Sequence, residues 1–133
     1  MSLFCDTSDG LEDALRSGYK WFPHDKGGAF RKWFGNKELV ISFDQPNFDI
    51  MSQMGNHLPS RKLYFKEGMT WTSLTSGSFN GRYTNNSVFD AKGPVLFSDG
   101  PDIKELIGFF NSNVAAEFLK VLAPTMDFNQ GPV

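Results

Sequence analysis

A short basic segment, Lys26 to Asn36, carries the side chains in this sequence that are best suited to binding chemistry. Lysine and arginine neutralise phosphates, and glycine lets the backbone approach a phosphate closely. An indole ring can stack on an unpaired base, which contributes roughly 1–3 kcal/mol. The segment therefore predicts a nucleic-acid contact made by Lys26, Arg31, Lys32 and Trp33. The alternative is a loop whose aromatic rings pack inward while its basic residues are merely solvated.

A second candidate segment, Gly68 to Tyr83, is dense in hydroxyl groups, with six serines and threonines between Thr70 and Ser78. Hydroxyl and guanidinium groups form hydrogen bonds with phosphates and with base edges. We predict that this segment adds the following residues to the binding surface: Trp71, Thr72, Ser73, Ser76, Ser78 and Arg82. The alternative is a solvated strand with an ordinary turn, in which Arg82 forms a surface ion pair.

The sequence offers little for a self-contained catalytic or metal site. A metal site needs three or four His, Cys or carboxylate ligands brought together, whereas this chain has two histidines and one cysteine without paired spacing. Gly27-Gly28 is too short for a phosphate-binding loop, and the carboxylates are scattered rather than paired. We therefore expect no catalytic residue, no cofactor-binding residue and no metal ligand in this chain.

Charge is distributed unevenly along the 133 residues. The net charge of −2 argues against a free-standing non-specific nucleic-acid binder, since such proteins are usually basic. From Arg16 to Lys37, however, six basic residues stand against one acid, Asp25. The sequence thus predicts a local positive segment on a mildly acidic chain.

Length and composition indicate one soluble globular domain, residues 1–133. The single cysteine, Cys5, fits a reducing cytosol, and no apolar run approaches the roughly 18 residues of a membrane span. Both chain ends read as cuts in a longer protein. We therefore expect a cytoplasmic fragment of a larger protein.

Helical signals lie at the two ends of the chain. Residues 6–17 predict a short helix that ends before Gly18. Residues 101–122 predict the longest helix, with Ile103, Leu106, Ile107, Phe110, Val114, Phe118, Leu119 and Leu122 in one apolar stripe. Asn111-Ser112-Asn113 is a potential break within it.

The middle of the chain predicts short strands and loops. Residues 19–37 read as a loop, 39–43 as a strand, and 44–60 as a connection with a helical turn at 48–54. Strands are predicted at 62–65, 87–90 and 94–97, and a hairpin joins 69–74 to 78–83 around Thr75-Ser76-Gly77. The predicted fold is therefore α+β, a mostly antiparallel twisted sheet of short strands with a C-terminal amphipathic helix.

Several segments of the chain have unusual sequences that resemble those of a known family. They are KWFP at 20–23, KGGAFRKWFGN at 26–36, FKEGMTW at 65–71, SGSFNGRY at 76–83, IGFFN at 107–111 and PTMDF at 124–128. Together they resemble the C-terminal half of the adenine-specific DNA methyltransferases of the BREX or phage-growth-limitation type. The resemblance runs from about residue 19 to the end, with residues 44–60 matching poorly.

The resemblance implies part of a cytosolic phage-defence enzyme that transfers a methyl group from S-adenosylmethionine to N6 of adenine. The family's Asn-Pro-Pro-Tyr box and glycine-rich cofactor loop do not occur here, so no catalytic residue is carried over. The matched part is similar to a target-recognition region downstream of the catalytic domain. The implied partners are DNA, that catalytic domain and other defence-system subunits, with no membrane.

Two interpretations remain open at this point. In the first, the basic segment holds phosphates, Arg82 and the hydroxyl groups face base edges or backbone, and Trp33 and Trp71 stack or support. In the second, the segment is a scaffold whose apolar stripe docks the rest of the enzyme and which does not touch DNA. The net negative charge favours the second interpretation.

Overall fold

A computed structural model of the chain describes residues 10–55, 58, 60–74, 77–90, 92–123 and 128. Within these ranges lie four α-helices, one 3-10 helix and six short strands in two three-stranded sheets. Three of the four strand pairings are antiparallel and one is parallel. The predicted α+β class with short, mostly antiparallel strands is confirmed, although the strands form two sheets rather than one.

The first sheet has the order β2-β1-β5 and lies against an aromatic core. Its strands are β1 (Trp21–Asp25), β2 (Val40–Ser42) and β5 (Val88–Phe89). We call the elements around this core the first half of the structure. It also contains helices α1 (Gly10–Arg16) and α2 (Gln45–Gln53) and the 3-10 helix Arg61–Leu63. Its core contains Phe22, Phe43 and Phe65 in edge-to-face contacts, the geometry that aromatic rings prefer.

The second sheet has the order β4-β3-β6 and packs against the two C-terminal helices. It consists of β3 (Gly68–Thr70), β4 (Arg82–Thr84) and β6 (Val95–Leu96), and the helices are α3 (Ile103–Phe110) and α4 (Asn113–Leu122). Gly68 allows the close approach of β6, because a Cβ at this position would lie 2.6 Å from Cγ1 of Val95. The core of this half contains Met69, Trp71, Phe79, Ile103, Ile107 and Leu119.

The predicted break in the long C-terminal helix is confirmed at Asn111-Ser112. The Ser112 hydroxyl accepts a hydrogen bond from the Ala115 N–H at 3.2 Å and so caps α4. The single apolar stripe predicted across 101–122 is wrong, because its residues do not share one buried face across the break. Ile103, Ile107 and Leu119 are buried, whereas Val114, Phe118 and Leu122 are exposed.

Three predicted element boundaries are corrected by the structure. Residues 19–37 are not all loop, since β1 occupies Trp21–Asp25; Pro23 is tolerated there because β5 pairs only from His24 onward. Residues 62–65 form the end of a 3-10 helix and a turn rather than a strand, and Phe65 has a left-handed φ of +67°. The connection at 44–60 contains a nine-residue helix, which is capped by the Asp44 carboxylate.

The predicted hairpin exists but its connection is longer than expected. β3 pairs with β4 from Gly68–Thr84 to Thr70–Arg82, so residues 71–81 form the link. Residues 75 and 76 of the predicted turn lie outside the described residues. The link folds back over α3 and the basic segment, which brings the two predicted binding segments together.

Candidate nucleic-acid interface

The basic segment forms a loop between β1 and β2 that is fastened at its centre to β4. The Trp33 N–H donates to the Gly81 carbonyl at 3.0 Å, and the Tyr83 N–H donates to the Trp33 carbonyl at 2.7 Å. These bonds make an isolated parallel bridge between Trp33 and Arg82. The loop centre is therefore attached to the second sheet along its edge strand, β4.

The aromatic side chains of this loop face outward. Phe30, Trp33 and Phe34 are 55%, 56% and 65% exposed, and Arg31 beside them is exposed too. The alternative in which these rings pack inward does not describe the structure. Three exposed aromatic side chains beside an exposed arginine make this loop a candidate contact surface.

Glycine and asparagine set the shape of the loop. Gly35 has a φ of +131°, and a Cβ there would lie 2.7 Å from Cδ of Arg31. The aliphatic stem of Arg31 therefore lies against Gly35. The Asn36 side chain donates to the Ala29 carbonyl at 2.9 Å and closes the loop from within.

Arg82, predicted to reach DNA, lies in the interior with 1% of its surface exposed. Its Nη1 donates to the Asn80 carbonyl at 3.2 Å, to the Asn80 side-chain oxygen and, at 3.5 Å, to the Arg31 carbonyl. Its Nη2 donates to the Thr72 hydroxyl at 3.4 Å. Burial lowers the pKa of this guanidinium, while the nearby Asp25 carboxylate opposes that shift. In this position Arg82 supports the loop backbone rather than presenting its charge to a ligand.

The hydroxyl-rich segment is divided between support and surface. The Thr72 hydroxyl donates to the Gly28 carbonyl at 3.2 Å, so it ties this segment to the basic loop. Trp71 is buried, and its Nε1 donates to the Phe128 carbonyl at 2.7 Å. The Ser73 carbonyl accepts a hydrogen bond from the Phe128 N–H. Ser78, in contrast, is exposed. Ser76 lies outside the described residues.

Two lysines of the basic loop have different surroundings. Lys26 is exposed at the point where the chain leaves β1. The Lys32 ammonium donates to the Asn111 carbonyl at 3.2 Å, at the C-terminal end of α3, where the helix dipole favours a cation. The structure thus brings Arg31, Lys32 and Trp33 together with Thr72 and Arg82 beneath them.

Asn111 is a key residue that sequence reasoning missed. It is buried, its side-chain oxygen accepts the Gly81 N–H at 2.9 Å, and its Nδ2 donates to the Gly81 carbonyl at 2.8 Å. The same Gly81 carbonyl accepts the Trp33 N–H. In the sequence Asn111 signalled only a helix break, because its long-range partner is a backbone group without any side-chain signature.

A buried ionic network was missed as well. Asp25 is 2% exposed, and its Oδ1 accepts a hydrogen bond from the Lys37 ammonium at 2.8 Å. Lys37 also donates to the Ser87 hydroxyl at 2.8 Å and to the Thr84 hydroxyl, which in turn donates to Asp25. Lys37 is therefore committed to the interior and does not add to the positive surface.

Two features, a glycine-rich cofactor-phosphate loop and a metal site, are absent from the described residues. Gly27 and Gly28 follow β1 but lead to β2 rather than to a helix, so they do not fit a cofactor-phosphate loop. Among the residues that the structure describes, no group of three His, Cys, Asp or Glu side chains could hold a metal ion. No helix in the described part of the chain is long and apolar enough to cross a membrane.

Two curated proteins are similar to most of this chain. The adenine-specific methyltransferase PglX of Lacticaseibacillus casei (strain Zhang) is 40% identical over 122 residues, 85% of the chain. The adenine-specific methyltransferase BrxX of Escherichia coli O9:H4 (strain HS) is 35% identical over 126 residues, 91% of the chain. The chain is homologous to a segment of these adenine-specific methyltransferases. The resemblance noted from the sequence is confirmed at that level.

The homologous segment is a small part of those methyltransferases. The chain spans about a tenth of the length of the curated relatives that it matches. No protein-family model matches the chain. The similarity to these two relatives does not by itself assign a role to the segment.

Proposed function

We propose that this chain is the DNA-holding, target-recognition-like part of an adenine-specific DNA methyltransferase. The observation that carries the proposal is the outward-facing loop of Phe30, Arg31, Trp33 and Phe34, fixed to β4 by two backbone hydrogen bonds. The homologous enzymes are named adenine-specific methyltransferases, which suggests DNA as the ligand. A rigid positive and aromatic loop suits a polyanion with flat bases.

The proposed roles follow from exposure. Lys26 and Arg31 neutralise phosphates, with Lys32 adding charge beside them, and Ser78 contributes an exposed hydroxyl. Trp33 offers a ring face to a base. Arg82, Thr72 and Trp71 hold the loop and its backing in place from the interior. This chain would position the duplex while another part of the enzyme accepts a flipped adenine.

S-adenosylmethionine would be bound in that other part of the enzyme, where it supplies the methyl group. No step of methyl transfer is assigned to the described residues of this chain. Their contribution is to orient DNA relative to the reacting centre, and orientation of this kind lowers a reaction barrier without chemical participation.

The test is duplex-DNA binding by the 133-residue chain at about 50 mM and about 200 mM salt, with Arg31→Ala as the variant. Each lost phosphate contact should flatten the slope of log affinity against log salt by about 0.9. Arg61→Ala is the matched control, because Arg61 is an exposed arginine on the 3-10 helix of the other half. Absent or salt-independent binding, or an equal effect of the two substitutions, would refute the proposed DNA role.

A specific observation favours a second candidate, a scaffold role. Val114, Phe118, Val121 and Leu122 form an exposed apolar face on α4, with Val121 80% exposed. Contiguous exposed apolar surface of this kind marks a protein interface. The occupant we assign is the remainder of the methyltransferase, because the homologous enzymes are about ten times longer than this segment.

This second role is tested by calorimetric titration of the 133-residue chain with the rest of the parent methyltransferase, produced as a separate polypeptide. Phe118→Asp should weaken binding at least about tenfold, since a charge would be buried in an apolar contact. Ile50→Asp, on α2 and 61% exposed, is the control and should bind like the parent. Equal binding by all three proteins would rule out the α4 interface.

A further inference from the structure

An open pocket of about 250 Å³ lies between the basic loop and α3. Its lining includes the Trp33 ring, Tyr83 of β4, and Ile107 and Lys104 of α3. Ile107 is buried in the core and forms a fixed apolar floor, while Lys104 is exposed and forms no ion pair with another described residue. Among the described lining residues, the pocket therefore combines aromatic and aliphatic side chains with a single cation.

Trp33 has an unusual backbone conformation at the edge of this pocket. Its φ is +73°, a left-handed value that is costly for a bulky residue and natural for glycine. Such outliers persist only where the surroundings fix them, and they concentrate at ligand sites. Here the two bonds to β4 impose the conformation, and Asn111 holds the Gly81 end of the bridge. The strained backbone keeps an exposed indole beside the pocket.

We infer that this pocket binds one unpaired nucleobase of a nucleic acid, with the base against Trp33 and the attached phosphate at Lys104. A flat ring matches the aromatic and aliphatic walls, and the negative phosphate complements the only cation among the described lining residues. The volume lies below the roughly 300–1,000 Å³ of sites for drug-sized ligands, which suits a single base. The inference deepens the proposed DNA role and rests on it.

The test compares two DNA duplexes that differ only by one unpaired adenine in the centre. The chain should bind the bulged duplex about tenfold more tightly than the paired duplex, as expected for one stacked base. Trp33→Gly should abolish this preference by weakening binding of the bulged duplex about tenfold more than binding of the paired duplex, and it also relieves the backbone strain, so loss of folding is not expected. Lys104→Ala should reduce the preference.

Trp21→Ala is the matched control, because Trp21 of β1 is 60% exposed but does not line the pocket. It should keep the full preference for the bulged duplex. An absent preference in the parent chain, or an equal loss of affinity for both duplexes in Trp33→Gly, overturns the pocket while the proposed DNA role stands on paired-duplex binding.

A separate titration decides the pocket if neither duplex binds, an outcome that would refute the proposed DNA role. Adenosine monophosphate is then added while tryptophan fluorescence is recorded. Quenching in the parent chain and in Trp21→Ala, but not in Trp33→Gly, supports the pocket. No quenching in the parent chain overturns it.

Discussion

Arg31 and Arg82 lie next to each other in the fold, with the Arg82 guanidinium under the Arg31 carbonyl. Arg31 is exposed and its side chain crosses Gly35, whereas Arg82 is enclosed by Asn80, Thr72 and the loop backbone. A buried charge is tolerated only when it is well hydrogen-bonded. At the scale of single residues, therefore, one arginine is available to a ligand and the other maintains the loop.

Substituting each arginine with alanine should separate these two roles. Arg82→Ala leaves the buried Asn80 oxygens without their donor, so the free energy of unfolding should fall by roughly 3 kcal/mol. Arg31→Ala should change it by less than about 0.5 kcal/mol while weakening DNA binding. Urea denaturation of both variants measures the difference. Equal stability of the two variants would contradict the supporting role of Arg82.

His24 predicts a pH dependence of stability. Burial lowers the pKa of His24 below its ordinary value of 6.5. This effect outweighs the opposing effect of Asp90, whose carboxylate lies 3.5 Å from Nε2. Lys26 also lowers the pKa of His24, and Asp25 raises it. As the pH falls through 6.5, His24 therefore binds a proton in the unfolded chain but not yet in the folded chain. The contribution of His24 to the free energy of unfolding is complete at higher pH, and it declines as the pH falls until the folded state is protonated too.

The measurement is the free energy of unfolding at about pH 7.5 and about pH 5.5 for the parent chain and for His24→Gln. The parent chain should lose more stability than the variant between these two conditions. His57 is unchanged in both proteins and cancels in the comparison. A parent chain that gains stability relative to His24→Gln at the lower pH would show that the Asp90 interaction dominates instead.

At the scale of elements, Asn111 joins the end of α3 to the link between β3 and β4. Asn111→Ala removes two hydrogen bonds to Gly81 and leaves the buried Gly81 N–H unpaired, so we expect a loss of about 2 kcal/mol. Because Gly81 also accepts the Trp33 N–H, amide exchange at Trp33 and Tyr83 should accelerate. Asn113→Ala, an exposed control on α4, should change neither stability nor exchange.

Elements whose residues follow a local rule could be predicted from the sequence. The polar run Asn111-Ser112-Asn113 inside an apolar helical pattern predicted the break, and the structure adds that Ser112 caps the second helix. β1 could not be predicted, because Pro23 and the polar His24 are untypical of a strand and because its two partner strands are distant in the sequence. A strand was predicted at 62–65 because Tyr64 and Phe65 have high strand propensity, which the packing of the aromatic core overrides.

The candidate site was predictable by residue type but not by exposure. The prediction of Lys26, Arg31 and Trp33 relied on composition within a short loop, and the structure places these side chains outside. Arg82 and Trp71 had the same composition signal, yet they face inward because β3 and β4 are covered by α3 and by the basic loop itself. Burial of this kind depends on long-range contacts that no local pattern encodes.

At the scale of the whole molecule, the two sheets are connected by the network around Asp25. Asp25 belongs to β1 of the first sheet and Thr84 to β4 of the second, and Lys37 bonds to both. Ser87, just before β5, is the fourth member. Two hydrophobic cores that share one buried ionic network should unfold together, as small domains generally do.

Asp25→Asn tests this coupling between the two halves. The substitution leaves the largely buried Lys37 ammonium without its counter-charge, so the free energy of unfolding should fall by about 3 kcal/mol. Glu117→Gln, which breaks the exposed Lys120 pair on α4, is the control and should cost less than about 0.5 kcal/mol.

Coupling between the two halves is measured by two probes of urea denaturation, far-ultraviolet circular dichroism and the fluorescence of Trp71 in a Trp21→Phe and Trp33→Phe background. In the parent chain the two transitions should coincide. In Asp25→Asn the two transitions should separate, because Trp71 reports only the second core. Coincident transitions at unchanged stability would mean that the network does not couple the sheets.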